Sequence, residues 1–209
     1  PGHTPVSAEE EAQTVLPVIE AVRKRFDIPI SVDTFKSSVA ESAIQAGADL
    51  VNDIWGLKYD PEMAGLIART GVACCLMHNK NNTEYQDFYP DMLRETAECV
   101  KLAKEAGIAD DKIILDPGVG FGKNYEQNLE TILHMERFHE LGYPMLLGTS
   151  RKSVIGLTLD LPADQRVEGT LVTTVMAVMK KYAFVRVHDI KENQRTIRMT
   201  EAILRAGEN

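Results

Sequence analysis

The sequence predicts an α/β chain built around a parallel sheet, in a (β/α)8 barrel or an open α/β sheet. Three observations carry that expectation. Short apolar, β-rich runs alternate with longer stretches of helical period, and each run is followed by its helix. The runs are apolar almost throughout, as strands buried on both faces are. No Ser/Gly/Pro-rich linker interrupts the series, so residues 1–209 are expected to form a single domain.

The elements follow in order. "SAEEEAQTVLPVIEAVRKRF" opens with Ser7 and carries Glu10 three residues later, a capping box ahead of a helix. "IPISVDT" is a strand, and "FKSSVAESAIQAG" a helix stopped by Gly47. Then come "DLVNDI" with "PEMAGLIARTG", "VACCLMH" with "YPDMLRETAECVKLAKEAG", and "KIILDPG" with "NYEQNLETILHMERFHELG". The series closes with "PMLLGTS" before "QRVEGTLVTTVMAVMKK", and "FVRVHD" before "NQRTIRMTEAILRAG". Six βα units are countable.

Composition narrows the function. At 44% hydrophobic and 26% charged, the chain has the balance of a globular protein. A net charge of -8 argues against a general nucleic-acid surface. Cys74, Cys75 and Cys99 have no metal-ligand spacing, and a reduced, cytoplasmic setting is expected. No apolar run reaches membrane-helix length, and no signal peptide opens the sequence.

Each strand ends in residues with chemistry to offer. These are Asp33, Asn52 with Asp53, His78, Asp116, Ser150-Arg151-Lys152, and Arg186 with His188-Asp189. Parallel strands open their C-termini on one face, so these groups are expected on one rim. The run "LDPGVGFGK" resembles a phosphate loop but fails the test, because Lys123 is followed by Asn124 and the glycines are evenly spaced. Asp116 at its mouth would repel a phosphate. The loop is therefore expected to serve Asp116 itself.

"SVDTFK", "VNDIWG", "LMHN", "LDPGVGFGK", "LLGTSRKS" and "FVRVHD" occur in the order and spacing of bacterial dihydropteroate synthases, and the chain resembles that family over almost its whole length. The resemblance implies a (β/α)8 TIM barrel of which six units are visible. It implies a single pterin-binding barrel domain over residues 1–209 that lacks the family's first two strands, with Pro1-Gly2 matching the tail of the family's loop after the second. It further implies condensation of 7,8-dihydropterin-6-ylmethyl diphosphate with p-aminobenzoate to 7,8-dihydropteroate in folate synthesis. Mg2+ is implied as cofactor, held in part by an Asn of the family's first strand and so by no residue of this chain. A cytoplasmic homodimer inhibited by sulfonamides is implied as well. The long helices "TLVTTVMAVMKK" and "TIRMTEAILRAG" offer a dimer surface.

By the same resemblance, Asp33, Asn52, Ile54, Met77, Asp116, Phe121, Gly148 and Lys152 bind the pterin. Lys152 and Ser153 meet p-aminobenzoate, and Arg186 and His188 hold the diphosphate; Asp33, Asp116 and Lys152 are the catalytic set. Residue chemistry fits these assignments. A buried carboxylate at Asp116 accepts two hydrogen bonds from an amidine-like pterin edge, with an Asx-type turn as the alternative. Asn52 offers a donor and an acceptor, and an anion at Asp33 stabilises developing positive charge, unless Asp33 is a helix N-cap. Ser153 lies just inside the following helix, at a positive terminus. Arg186 and His188, two apart on one strand, are expected to share a face. His78 is equally well a structural histidine, Trp55 a packing residue, and His3, His134 and His139 surface residues. Two rival functions are a pterin-dependent methyltransferase of the same fold and a non-catalytic pterin-binding relative.

Overall fold

The computed structural model describes residues 6–207, so Pro1-Gly2 and His3 lie outside the described residues. The chain is α/β with parallel strands and groups into two compact units. One comprises the residues up to 79 with 92–115; the other comprises 80–91 with the residues from 116 onward.

In the first unit, helix α1 (Ala8–Arg23) begins with the expected capping box. The Ser7 hydroxyl accepts from the Glu10 N–H at 3.1 Å and the Glu10 carboxylate accepts from the Ser7 N–H at 3.1 Å. At its other end Arg23 donates to the Gly47 carbonyl (2.7 Å), anchoring α1 beside the end of α2 (Ser37–Gln45). Strands β1 (Ser31–Asp33), β2 (Leu50–Asp53), β3 (Ala73–Met77) and β4 (Ile113–Asp116) form a four-stranded sheet in sequence order. Register sets Asp33 opposite Asn52 and Asn52 opposite Cys75. β2 and β3 are buried almost throughout, as a covered parallel sheet requires, whereas Ser31 and Asp33 of the edge strand β1 are exposed. Helix α3 (Pro61–Thr70) starts on an Asp60 cap with Pro61 and ends at left-handed Gly71. Its Met63, Leu66 and Ile67 are fully buried. Helix α4 is Phe88–Glu105, and its residues from Met92 onward belong to this unit.

In the second unit, α5 (Tyr125–Leu133) has a capping box of Asn124 and Gln127. The single helix expected over 124–142 breaks at His134 into a 3-10 segment, Met135–Leu141. Side chains three apart eclipse in a 3-10 turn, which sends Met135 and Phe138 together into the core. β5 (Leu146–Leu147) pairs with β6 (Phe184–Val185), and α6 (Ser153–Leu159), α7 (Val167–Met179) and α8 (Ile190–Ala206) complete the unit.

One expectation is corrected here. β6 stops at Val185, so Arg186 and His188 do not alternate along one strand. Arg186 makes the last ladder-like bond, to the Leu147 carbonyl (2.9 Å). The next available N–H, that of His188, goes instead to the Ser150 hydroxyl at 3.1 Å, a side-chain bond that ends strand pairing. Among the described residues, no helix is long and apolar enough to cross a membrane.

Candidate functional site

The first unit carries an open amide beside a locked turn. Asn52, at the C-terminal part of β2, is 8% exposed, and its side chain has no hydrogen-bond partner among the described residues. Among the described residues no fully buried side-chain nitrogen or oxygen lacks a partner, so this amide meets solvent and is open to a ligand. Asp33 stands opposite Asn52 in register and is exposed. It does not cap α2: that position belongs to Lys36, and the Ser37 N–H is taken by Asp60 (2.8 Å).

Asp53 beside it is structural. Its two oxygens accept from the N–H groups of Trp55 and Leu57, both at 2.8 Å, closing a turn in which Gly56 and Leu57 have φ of 58° and 69°. Burial pushes the Asp53 carboxyl above its ordinary value, against those two hydrogen bonds. A Cβ on Gly56 would stand 2.5 Å from the Cys99 sulfur, so only glycine fits. Ile54 is half-buried and Met77 buried. His78 is fully buried with Nε2 2.9 Å from the Glu95 carboxylate, the place of a structural histidine. Trp55 packs near Tyr59, with ring centres 6.0 Å apart.

The second unit holds the carboxylate and most of the cations. Asp116 is 5% exposed, and its Oδ1 accepts from the Gly118 N–H at 2.7 Å, so the Asx-type turn does form. Oδ2 lies on the Gly148 side, 3.4 Å from where a Cβ on that glycine would sit. Burial pushes the Asp116 carboxyl up even though Lys152, the Gly118 N–H, Lys123 and Arg186 all favour its ionised form. Lys152 lies across the glycine loop: Nζ donates to the Val119 carbonyl (2.5 Å) and sits 4.7 Å from the centre of the Phe121 ring. A Cβ on Gly120 would stand 3.2 Å from the Lys152 stem. Gly118, Gly120 and Gly122 all have positive φ, of 70°, 88° and 57°.

Three of the loop's own N–H groups are engaged within the protein and are not offered to a phosphate. Gly118 donates to Asp116, Gly120 to the Asn128 side chain, and Phe121 to the Gly118 carbonyl. Sequence reasoning missed the residues that brace this loop. Buried Lys123 donates to the carbonyls of Gly118 and Phe121, both at 3.0 Å. Asn128 accepts from Gly120 (2.5 Å) and donates to the carbonyls of Lys123 and Asn124. The Tyr85 hydroxyl donates to the Gly122 carbonyl at 2.7 Å. Asn128 was findable, since the apolar period of α5 puts it on the buried face with Ile132. The others act through backbone carbonyls and leave no sequence signal.

Ser153 is exposed and opens α6, with Lys152 as the preceding cap residue. Arg166 holds the turn before α6, donating to the Arg151 carbonyl at 2.8 Å. Arg186 and His188 are exposed; His188 Nδ1 lies 2.9 Å from the Ser150 hydroxyl. Arg151 grips Asp189 through two hydrogen bonds and holds that carboxyl below its ordinary range. His134 and His139 are exposed, as expected. Burial pushes the thiols of Cys74 and Cys99 up to about 12 and about 11, so neither is a poised nucleophile. Among the described residues no group of three or more His, Cys, Asp or Glu is disposed to hold a metal ion.

The family of pterin binding enzymes matches residues 1–188. The dihydropteroate synthase of Clostridium beijerinckii is 57% identical over 206 residues, 98% of this chain and 77% of that protein. A dihydropteroate synthase of Clostridium difficile, crystallised in the presence of pteroic acid, superposes with a TM-score of 0.95 at 45% identity, covering 97% of this chain and 78% of its own. The Yersinia pestis enzyme with a pterine-sulfa conjugate superposes at 0.92 and 40% identity, covering 96% and 78%. The fold class expected from the sequence, a TIM barrel, is the one these neighbours share.

Proposed function

Since this chain belongs to the family of pterin-binding enzymes, we propose that it works as a dihydropteroate synthase in folate synthesis. It condenses 7,8-dihydropterin-6-ylmethyl diphosphate with p-aminobenzoate to give 7,8-dihydropteroate and pyrophosphate. The observation that carries this reading is the buried Asp116 carboxylate, whose Oδ2 is directed toward Gly148 and which Lys152 attends.

In this reading Asp116 accepts two N–H groups of the pterin, and the open amide of Asn52 meets another ring edge. Ile54, Met77, Phe121 and Gly148 supply apolar or close-packed wall. Arg186 and His188 bind the diphosphate. The bond between the methylene carbon and the diphosphate oxygen breaks, and its electron pair leaves with pyrophosphate. Positive charge spreads into the pterin ring, and Asp33 stabilises it. The amine of p-aminobenzoate, placed by the Lys152 stem and Ser153, then forms the C–N bond and loses a proton to solvent. No enzyme nucleophile is needed, and the protein acts by positioning and electrostatics. Mg2+ is proposed to accompany the diphosphate, neutralising its charge; no step is assigned to a metal held by the described residues.

Sulfonamides are proposed to compete with p-aminobenzoate, as the sulfa conjugate bound by the Yersinia pestis relative supports. The free cysteines support a cytoplasmic setting. A homodimer is proposed through α7 and α8, where Val172, Met179, Met199 and Ile203 are exposed.

The test is calorimetric titration of dihydropterin diphosphate into the chain and its Asp116→Asn variant, followed by an assay of pyrophosphate release on adding p-aminobenzoate. Binding that the variant loses by roughly 10- to 100-fold, together with release in the wild type, supports the reading. Binding that Asp116→Asn leaves intact would sink the role of Asp116. Binding without pyrophosphate release, also in a chain extended by two upstream strands, would favour a non-catalytic relative.

A further inference from the structure

Among the described residues the Ser150 hydroxyl meets His188 twice and has no other hydrogen-bond partner. It is buried, its oxygen accepts the His188 backbone N–H at 3.1 Å, and the same oxygen lies 2.9 Å from Nδ1 of the ring. The backbone nitrogen can only donate. The hydroxyl has one proton of its own, and among the described residues Nδ1 is the acceptor within its reach. If Nδ1 carried a proton, the oxygen would accept twice and its own proton, in a buried group, would find no acceptor. Among the described residues the neighbouring carboxylate makes no hydrogen bond to the ring; the two oxygens of Asp189 accept from the Arg151 guanidinium at 3.1 and 2.5 Å.

We infer that Ser150 is a positioning residue that fixes His188 as the tautomer protonated on Nε2. The ring then presents an N–H donor, in its neutral form, to an anionic oxygen. Nε2 has no hydrogen-bond partner among the described residues, and the side chain is exposed. A diphosphate oxygen can only accept, so a bare Nε2 lone pair would repel it, whereas Nε2–H binds it and gains strength as charge grows on the leaving group. This inference rests on the proposed diphosphate role of His188 and adds the residue that makes the ring competent for it.

Ring nitrogen chemical shifts of the free chain report the tautomer without any ligand. His188 is assigned by comparison with His188→Gln, and the other four histidines monitor the fold. The wild type is expected to show protonated Nε2 and unprotonated Nδ1. Ser150→Ala is expected to relax toward the mixed tautomers of a solvated imidazole, and Ser150→Thr to keep the wild-type pattern. With inorganic pyrophosphate as probe, Ser150→Ala is expected to bind about three- to tenfold more weakly, with affinity retained in Ser150→Thr. A protonated Nδ1 in the wild type, or a ring spectrum indifferent to Ser150→Ala, overturns the inference. The expected tautomer in a wild type that binds no pyrophosphate overturns the diphosphate role of His188 while leaving the control by Ser150 standing.

Discussion

At Asp116 the turn that forms and the pterin contact that is proposed, alternatives in its sequence context, do not exclude each other. The Asx-type turn occupies Oδ1, and the proposed pterin contact uses the carboxylate's remaining capacity on the Gly148 side. Burial raises its pKa above the unfolded value, so its ionisation opposes folding. The sign follows directly: the contribution of Asp116 is fully present below the ordinary carboxylate pKa of about 4 and is lost as pH rises through the raised folded value. Asp116→Asn keeps an oxygen for Gly118 and removes the charge. Its melting temperature at neutral pH is therefore expected to exceed the wild type's by about 2–4 °C, a gap that closes on acidification. Thermal scans between pH 3 and pH 8, ranges in which an ordinary and a raised carboxylate titrate, decide it; equal melting temperatures at all pH values would refute the burial argument. Asp116 was legible because a lone acid ends an apolar strand before three glycines. Ser150 and Lys123 were not, since nothing in a sequence says which carbonyl or ring a side chain will reach.

At the scale of elements, the glycine loop after β4 is a rigid platform with no regular secondary structure. Lys123, Asn128 and Tyr85 hold four of its carbonyls, those of Gly118, Phe121, Gly122 and Lys123, and one of its N–H groups, that of Gly120. Asn128→Ala leaves the Gly120 N–H and the Lys123 carbonyl without this partner. It is expected to lower stability by about 1–3 kcal/mol in urea unfolding and to weaken pterin binding by releasing Phe121. Unfolding unchanged within error would show the brace to be dispensable. Strand positions were legible throughout because apolar runs of this kind have few other uses. Their ends were less so: β5 and β6 keep two residues each where seven and six were expected, since competing side-chain bonds such as Ser150 to His188 are tertiary. The short α6 carries too little period to be seen except through the expected terminus at Ser153.

At the scale of the whole molecule, α7 packs against α8 and leaves Val175, Met179, Met199 and Ile203 lining an apolar groove. If these helices form the proposed dimer, Met199→Glu is expected to elute as a monomer at micromolar concentration while the wild type elutes as a dimer. Wild-type elution as a monomer would remove the dimer. The buried Asp116 also ties the protein to its solvent during binding. Burial raises the Asp116 carboxyl, and in the proposed complex two pterin N–H bonds would favour its ionised form, so ligand binding is expected to release any proton the carboxyl holds. The heat of binding must then include the ionisation enthalpy of whatever buffer takes up that proton. Titrations of equal affinity in phosphate and in Tris should give different enthalpies, with a gap that widens as pH is lowered toward the carboxyl's own value and vanishes in Asp116→Asn. Identical heats in the two buffers would mean that Asp116 is already fully ionised before the ligand arrives.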